Sequence, residues 1–334
     1  MVFAKHRSWA PSMHLYHFST RFLRHNTLAF FALFSALSPL AAENLESIPI
    51  HYHTPYIQYS ANLQPVSYTP TQNTLPKALL QQQPSLLHSG IAYVQDIKTG
   101  MTIFQKNSDQ VRPIASITKL MTALVVLEAN QDLNEILEIT SADIDRLKNT
   151  TSRLSVGSKL SRAEMLHLAL MSSENRAANA LGRHYPGGLS AFVRAMNDRA
   201  RSLGMRQTTF VEPTGLSSEN VSSPNDLVLL LKATAKHSLI NQYSTSEKLT
   251  VTPRPGRTLV FGNTNRLVQN SKWDIQVSKT GFINEAGQCL VLMTKLDGRE
   301  VAIVLMNAQG RYSRIGDAIR LRNLVENSNK LAML

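Results

Sequence analysis

Cysteine is nearly missing from this chain: Cys289 is the only one. No intrachain disulfide can form, whatever the redox state of the compartment. Cys289 sits in the apolar stretch Cys289-Leu290-Val291-Leu292-Met293, the setting of a buried structural thiol and not of a nucleophile. Acid is also scarce, 23 residues against 35 basic ones, for a net charge of +12. The basic residues form no dense run of the kind that marks a nucleic-acid-binding tail, so solvated helix faces are expected and no nucleic-acid partner. His51, His53, His167, His184 and His237 are scattered without ligand spacing. Surface or capping roles are expected for them, with no metal and no cofactor.

Long apolar runs are lacking as well. The stretch at residues 28–37 falls short of the roughly 20 residues that span a bilayer. It follows Lys5, Arg7, Arg21 and Arg24, with no acid nearby, and precedes Ser38-Pro39-Leu40-Ala41-Ala42. Basic, apolar and then small residues describe a secretory signal peptide over 1–42, cleaved near Ala42, with Met13 as an alternative start in a long basic region. Setting aside that segment lowers the charge to +8, and an exported basic protein suits an anionic polymer such as cell wall. Residues 43–87, rich in Pro, Gln, Tyr, Thr and Ser, read as a disordered leader. Residues 88–334 remain for one folded domain.

Within that domain, apolar segments at 89–94 and 101–104 flank Asp96-Ile97-Lys98-Thr99-Gly100 and predict a hairpin. A helix over 116–129 is apolar nearly all round and so belongs at the centre. Ser161-Arg162-Ala163-Glu164 is a capping box opening a helix through Met171, and a second helix resumes near Arg176. A helix over 190–203 ends at Gly204, and Ser223-Pro224-Asn225-Asp226 starts another. Strands follow at 275–280, 288–295 and 301–307, the last two joined around Asp297-Gly298, then a helix over 313–326. The order predicts an α+β fold: an antiparallel sheet built from both chain ends, with a helical region inserted between them.

Ser116-Ile117-Thr118-Lys119 is the chain's single Ser-x-x-Lys, and it opens that central helix. Residues three apart share a helix face, so an amine with a depressed pKa can take the proton of the hydroxyl and make a serine nucleophile without histidine. Alone the spacing proves little; it needs a Ser-x-Asn between helices and a Lys-Thr-Gly on a strand, in that order. Ser-x-Asn occurs four times. Ser60-Ala61-Asn62 lies in the leader, Ser218-Glu219-Asn220 in an apparent loop, and Ser223-Pro224-Asn225 is a helix cap. Ser173-Glu174-Asn175 alone falls in a short break between helices, where a loop can aim polar groups at a cleft. Of two Lys-Thr-Gly triplets, Lys98-Thr99-Gly100 is a hairpin turn. Lys279-Thr280-Gly281 ends a strand, where Lys279 and Gly281 share a face, and the missing Cβ of Gly281 leaves room for a ligand against the backbone.

The surviving set, Ser116/Lys119, Ser173/Asn175 and Lys279/Thr280/Gly281, resembles the penicillin-recognising serine enzymes. The flanking stretches Arg112–Thr122, Leu170–Asn179 and Pro213–Ser217 look like the low-molecular-mass penicillin-binding D-alanyl-D-alanine peptidases, and most like their endopeptidase branch, the penicillin-binding protein 7 type. The resemblance covers roughly 88–327. It implies a transpeptidase-like (β-lactamase-like) fold and a periplasmic serine D,D-peptidase of peptidoglycan that opens D-Ala-to-diaminopimelate cross-links. It further implies Ser116 as nucleophile, Lys119 as general base, Ser173 as proton relay and Asn175 as a holder of Lys119 and substrate. Lys279, Thr280 and Gly281 would bind substrate, the backbone N–H groups of Ser116 and Phe282 would form the oxyanion hole, and β-lactams would inhibit covalently. D,D-carboxypeptidase action on terminal D-Ala is the alternative, since a free carboxylate lies beside the scissile amide in both reactions. A class A-type β-lactamase would need a water-activating glutamate. Glu212-Pro213 sits where one could lie, but continues as the peptidase pattern Thr214-Gly215-Leu216, so Glu212 is expected to be structural. A non-catalytic wall-binding or β-lactam-sensing module is the remaining reading, disfavoured by the complete motif set. The chain ends soon after its closing helix, so no C-terminal membrane anchor is expected.

Overall fold

The computed structural model describes residues 86–310 and 312–332. The signal peptide expected over 1–42 lies outside the described residues, as does the leader apart from Leu86 and Leu87. Leu87, assigned to the leader by composition, is buried against the domain's second apolar core.

The domain opens with β1 (Ser89–Asp96), β2 (Thr102–Lys106) and the short β3 (Arg112–Pro113). Helices α1 (Thr118–Glu128), α2 (Arg162–Met171), α3 (Asn175–Arg183), α4 (Gly188–Ser202), α5 (Pro224–Thr234) and α6 (Ser238–Thr245) follow. Between them lie the small strands β4 (Ile136–Glu138), β5 (Lys159–Ser161) and β6 (Val221–Ser222), and after them the hairpin of β7 (Lys248–Arg254) and β8 (Arg257–Gly262). Then come β9 (Asp274–Ile283), β10 (Gly287–Leu296), β11 (Arg299–Ala308) and the closing α7 (Ser313–Ala332). The main sheet has five strands in the order β2-β1-β11-β10-β9, antiparallel throughout. Its first strand pairs with its last, Ile91 opposite Met306 and Val94 opposite Ile303. The fold is therefore the expected one, a sheet closed by both chain ends around a helical insertion.

Both faces of the sheet are covered, which is why its strands are apolar runs and not alternating ones. Val291, Met293, Ala302 and Val304 face the helical region, while Leu290, Leu292, Ile303 and Leu305 face α7 through Ala318, Leu321 and Val325. Cys289 is fully buried and its thiol is pushed up to about 11, chiefly by burial, as expected of a structural thiol. The Asp297-Gly298 turn has positive φ at both residues, +46° and +78°, the conformation a two-residue hairpin favours.

The local signals hold with small shifts. Ser161 and Glu164 form the reciprocal capping box, and Ser223 caps α5 by accepting from Asp226 N–H. The central helix starts two residues later than its pattern predicts. Ser116 lies in a 3-10 turn over Ala115–Ile117, with α1 beginning at Thr118. β9 runs on to Ile283, and the β7–β8 hairpin is a surface element that the sequence pattern does not announce.

Candidate active site

α1 is buried along most of its length, with Leu120, Met121, Ala123 and Leu124 inaccessible. That burial fixes the turn before it. Ala115 takes φ +48°, a left-handed conformation unfavourable for a residue with a Cβ, immediately ahead of Ser116. Two neighbours hold this turn in place. Gly281 of β9 lies so close that a Cβ there would stand 2.9 Å from Ile114 O and 3.0 Å from Ser116 N. Gly215, at φ +83°, would put a Cβ 1.9 Å from Ala115 O. The gap left by Gly281 is thus filled by the chain's own serine turn, and not kept for a ligand as the strand pattern suggests.

Lys119, one turn on, is fully buried, and its Nζ donates to Ser116 Oγ (2.9 Å), Asn175 Oδ1 (2.8 Å) and Thr214 O (2.5 Å). Burial pulls its pKa from an ordinary 10.5 to about 8, against the opposing pull of the Glu212 and Glu174 carboxylates. At pH 7 about a tenth of such an amine is neutral and able to accept a proton. Asn175 is the first residue of α3, and its Nδ2 donates to Thr150 Oγ1 (3.0 Å), tying Lys119 to the loop over 145–150. Ser173 sits in the break between α2 and α3 with φ +61° and faces the same cleft.

On the opposite wall, Thr280 Oγ1 donates to Thr264 Oγ1 (2.6 Å), and Lys279 is buried beneath the surface with Nζ on Thr280 O (3.1 Å). The Lys279 pKa is driven well below its ordinary value by burial, then by the charges of Lys119 and Arg314. The cleft between these walls, about 440 Å³, is lined by Ser116, Ser173, Asn175, Thr280, Gly281 and Phe282, joined by Lys148, Thr150, Thr264 and Arg314. All the expected site residues therefore converge here, with Lys119 and Lys279 as buried amines under the floor. The arrangement supplies a serine hydroxyl, an amine tuned toward neutrality, and cationic ground for an anionic group.

The profile of a family described as D-alanyl-D-alanine carboxypeptidase matches residues 78–310. The chain belongs to that family. It is a serine-type D-Ala-D-Ala peptidase, a hydrolase. A D-alanyl-D-alanine endopeptidase of Pseudomonas aeruginosa is 49% identical over 259 residues, which are 77% of this chain and 83% of that protein. One from Escherichia coli is 49% identical over 250 residues, 75% and 80% of the two chains. Among solved structures, the Streptomyces K15 DD-transpeptidase superposes with a TM-score of 0.66 at 28% identity, covering 71% of this chain and 97% of its own. The ampicillin-bound form of penicillin-binding protein D2 from Listeria monocytogenes gives 0.61 at 30% identity, with the same coverage.

The family's motifs do not account for the whole site. Glu212 is engaged as a strut: its carboxylate accepts from Thr214 N–H and Oγ1, Gly215 N–H, Ser217 N–H and Asn220 Nδ2 at 2.5–3.3 Å. It curls the loop over 212–217 so that Thr214 O meets Lys119 and Pro213 O meets Thr122 Oγ1 (2.7 Å). Asn220, dismissed with its Ser-x-Asn as a loop residue, is fully buried and bonds both Glu212 and Thr118 Oγ1 (3.1 Å). Arg314 reaches the cleft from α7, with Nη1 on Gly281 O (2.8 Å). Thr214 acts through its carbonyl, which has no side-chain signature, and Arg314 lies far along the chain. Only the buried Asn220 beside a glutamate could have been suspected.

His184 Nδ1 lies 2.9 Å from Ala180 O at the end of α3, the capping role expected of it. His167 departs from its expected surface role. It stacks on Tyr243 with ring centroids 4.3 Å apart, and burial lowers its pKa to about 4. Among the described residues no cluster of metal-ligating groups occurs, and no helix is long and apolar enough to cross a membrane.

Proposed function

We propose that the protein is a D,D-endopeptidase that opens D-Ala-to-diaminopimelate cross-links of peptidoglycan through an acyl-enzyme on Ser116. The observation that carries this is the 2.9 Å contact of Lys119 Nζ with Ser116 Oγ in a buried pocket that brings the amine to about 8. Neutral Lys119 takes the hydroxyl proton as Oγ attacks the D-alanyl carbonyl. The oxyanion that forms is received by the N–H groups of Ser116 and Phe282. Collapse of the tetrahedral intermediate expels the amine of diaminopimelate, which receives its proton from Lys119 by way of Ser173, and water then releases the acyl group. Asn175 keeps Lys119 aimed and meets the substrate amide, and the Gly281 strand edge meets the substrate backbone. The carboxylate beside the scissile bond goes to Thr280, with Arg314 supplying positive charge and Lys279 beneath it holding Thr280 O.

Two relatives at 49% identity bear the endopeptidase name, whereas the carboxypeptidases among the relatives lie near 30%, which favours cross-link cleavage over removal of terminal D-Ala. Penicillins acylate Ser116 in this reading. The basic and then apolar start of the chain supports export to the periplasm, where that substrate lies. With Glu212 engaged by five donors, it is not free to activate a deacylating water as a β-lactamase glutamate would, so the penicilloyl adduct is expected to be long-lived and the β-lactamase reading is disfavoured.

A defined cross-linked muropeptide dimer and an uncross-linked pentapeptide, each incubated with the protein and with a Ser116→Ala variant, provide the test. The dimer is expected to fall to monomers faster than the pentapeptide loses D-Ala, and the variant is expected to do neither. Faster trimming of the pentapeptide would favour the carboxypeptidase. Two uncleaved samples would leave only a binding module.

A further inference from the structure

We propose that Arg153, Arg254 and Arg257 form a second, non-catalytic surface that binds carboxylates of neighbouring peptide stems in the polymeric wall. The proposal rests on peptidoglycan being the substrate. The β7–β8 hairpin lies against the loop over 152–158, and the three guanidiniums stitch the two together through neutral oxygens. Arg254 Nη2 bonds Val156 O, Arg257 Nη1 bonds Ser155 Oγ (3.2 Å), and Arg153 Nη1 bonds Val260 O (2.7 Å) while its guanidinium covers the Phe261 ring at 3.7 Å.

Among the described residues, none of the three has a carboxylate partner within ion-pair distance. Residues 150–158 and 248–262 contain no acid at all. Glu174, beside this loop, is engaged by Ser152 Oγ at 2.6 Å, and Glu138 is paired with Lys159 at 3.4 Å. All three arginines are exposed, around the exposed Val156 and Val260. A guanidinium has five donors in a fixed fork, and the bonds to loop oxygens use one or two of them. The remaining donors keep the geometry that grips a carboxylate in two bonds, with full charge behind them.

The patch is also close to the reaction. Thr150, at the cleft, bonds catalytic Asn175, and Arg153 is three residues further on, within about 11 Å even for a fully extended chain. Ser152 Oγ and Arg176 Nη1 pin the segment between them, to Glu174 Oε1 (2.6 Å) and Leu154 O (2.7 Å). A cross-link seated in the cleft belongs to a net whose other stems carry free carboxylates, and this rigid loop presents the arginines to them. A soluble fragment has few such neighbours, so the patch matters on intact wall and not on a small substrate.

The test uses an Arg254→Gln/Arg257→Gln variant, leaving Arg153 to hold the hairpin through Phe261. In a Ser116→Ala background that prevents digestion, retention on purified insoluble sacculi is expected to fall roughly three- to tenfold, the range for two exposed ion pairs. Parent retention is expected to fall as salt rises, and Arg254→Lys/Arg257→Lys is expected to recover part of the loss. With Ser116 restored, cleavage of the soluble dimer stays at the parent rate. Equal retention of parent and Gln variant overturns the proposal, as does a Lys variant no better than Gln. Loss of dimer cleavage by the Gln variant overturns it too, by placing the arginines in the site. If the parent itself fails to cleave the dimer, the endopeptidase reading falls, and the retention arms still report on the patch.

Discussion

As the proposed base, Lys119 has to accept a proton although it sits where an ammonium has three hydrogen-bond acceptors, Ser116 Oγ, Asn175 Oδ1 and Thr214 O. Burial resolves the conflict by bringing the amine to about 8. Acylation by penicillin is therefore expected to rise about tenfold per pH unit below 8 and level off above it, because only neutral Lys119 acts as base. Stopped-flow acylation rates between pH 5.5 and 9.5 check this, and a flat profile would remove Lys119 from the role. Stability follows the same titration. The folded state binds fewer protons than the unfolded one between about 8 and 10.5, so this residue's cost to stability is fully present below 8 and is relieved as pH rises through that window. The side chains of this chemistry were legible in the sequence because their types and order are constrained. The carbonyl of Thr214 was not, since any residue carries one.

At the scale of elements, the site is a contact between a helix start, a helix break, a strand and one loop. Side-chain motifs mark the first three. The loop over 212–220 shows in the sequence only as a resemblance over 213–217 and an expected structural Glu212; how Glu212, Asn220 and Gly215 hold it shows only when folded. Its hydrogen bonds turn inward to Thr118, Lys119 and Thr122, all on the first turns of α1. Glu212→Ala leaves several donors around a half-buried gap and is expected to cost about 2–4 kcal/mol, measured by denaturant unfolding. It is also expected to slow acylation of Ser116 through loss of the Thr214 contact. The lifetime of the penicilloyl adduct should stay the same. A lifetime lengthened in step with the slower acylation would make Glu212 the activator of the deacylating water and revive the β-lactamase reading. The β7–β8 hairpin escaped the sequence pattern for a related reason: Arg254 and Arg257 donate to backbone oxygens of a loop about a hundred residues away, and that loop's Arg153 donates back to Val260 O.

For the molecule as a whole, the sheet that carries Lys279-Thr280-Gly281 is complete only when β1 joins β11. The block order of strands, helices and strands again announced this closure, but not what secures it. Asp317 of α7, fully buried, accepts at Oδ2 from Ser89 N–H and Ser89 Oγ, both at 2.6 Å, and at Oδ1 from His88 N–H at 3.2 Å and Arg320 Nη1 at 2.9 Å. One carboxylate thus ties the first strand to the last helix across 228 residues of chain. Asp317→Ala leaves the Ser89 donors buried without an acceptor, an expected loss of about 2–4 kcal/mol. For a domain of this size that lowers the melting temperature by roughly 5–15 °C. Ser116 lies on the other face of the sheet, so the variant should still take a penicillin label at its parent rate well below the transition. A melting temperature within about 2 °C of the parent would show that strand pairing alone closes the sheet. A fall in labelling at low temperature would show instead that α7, through Arg314 on Gly281 O, transmits the closure to the cleft.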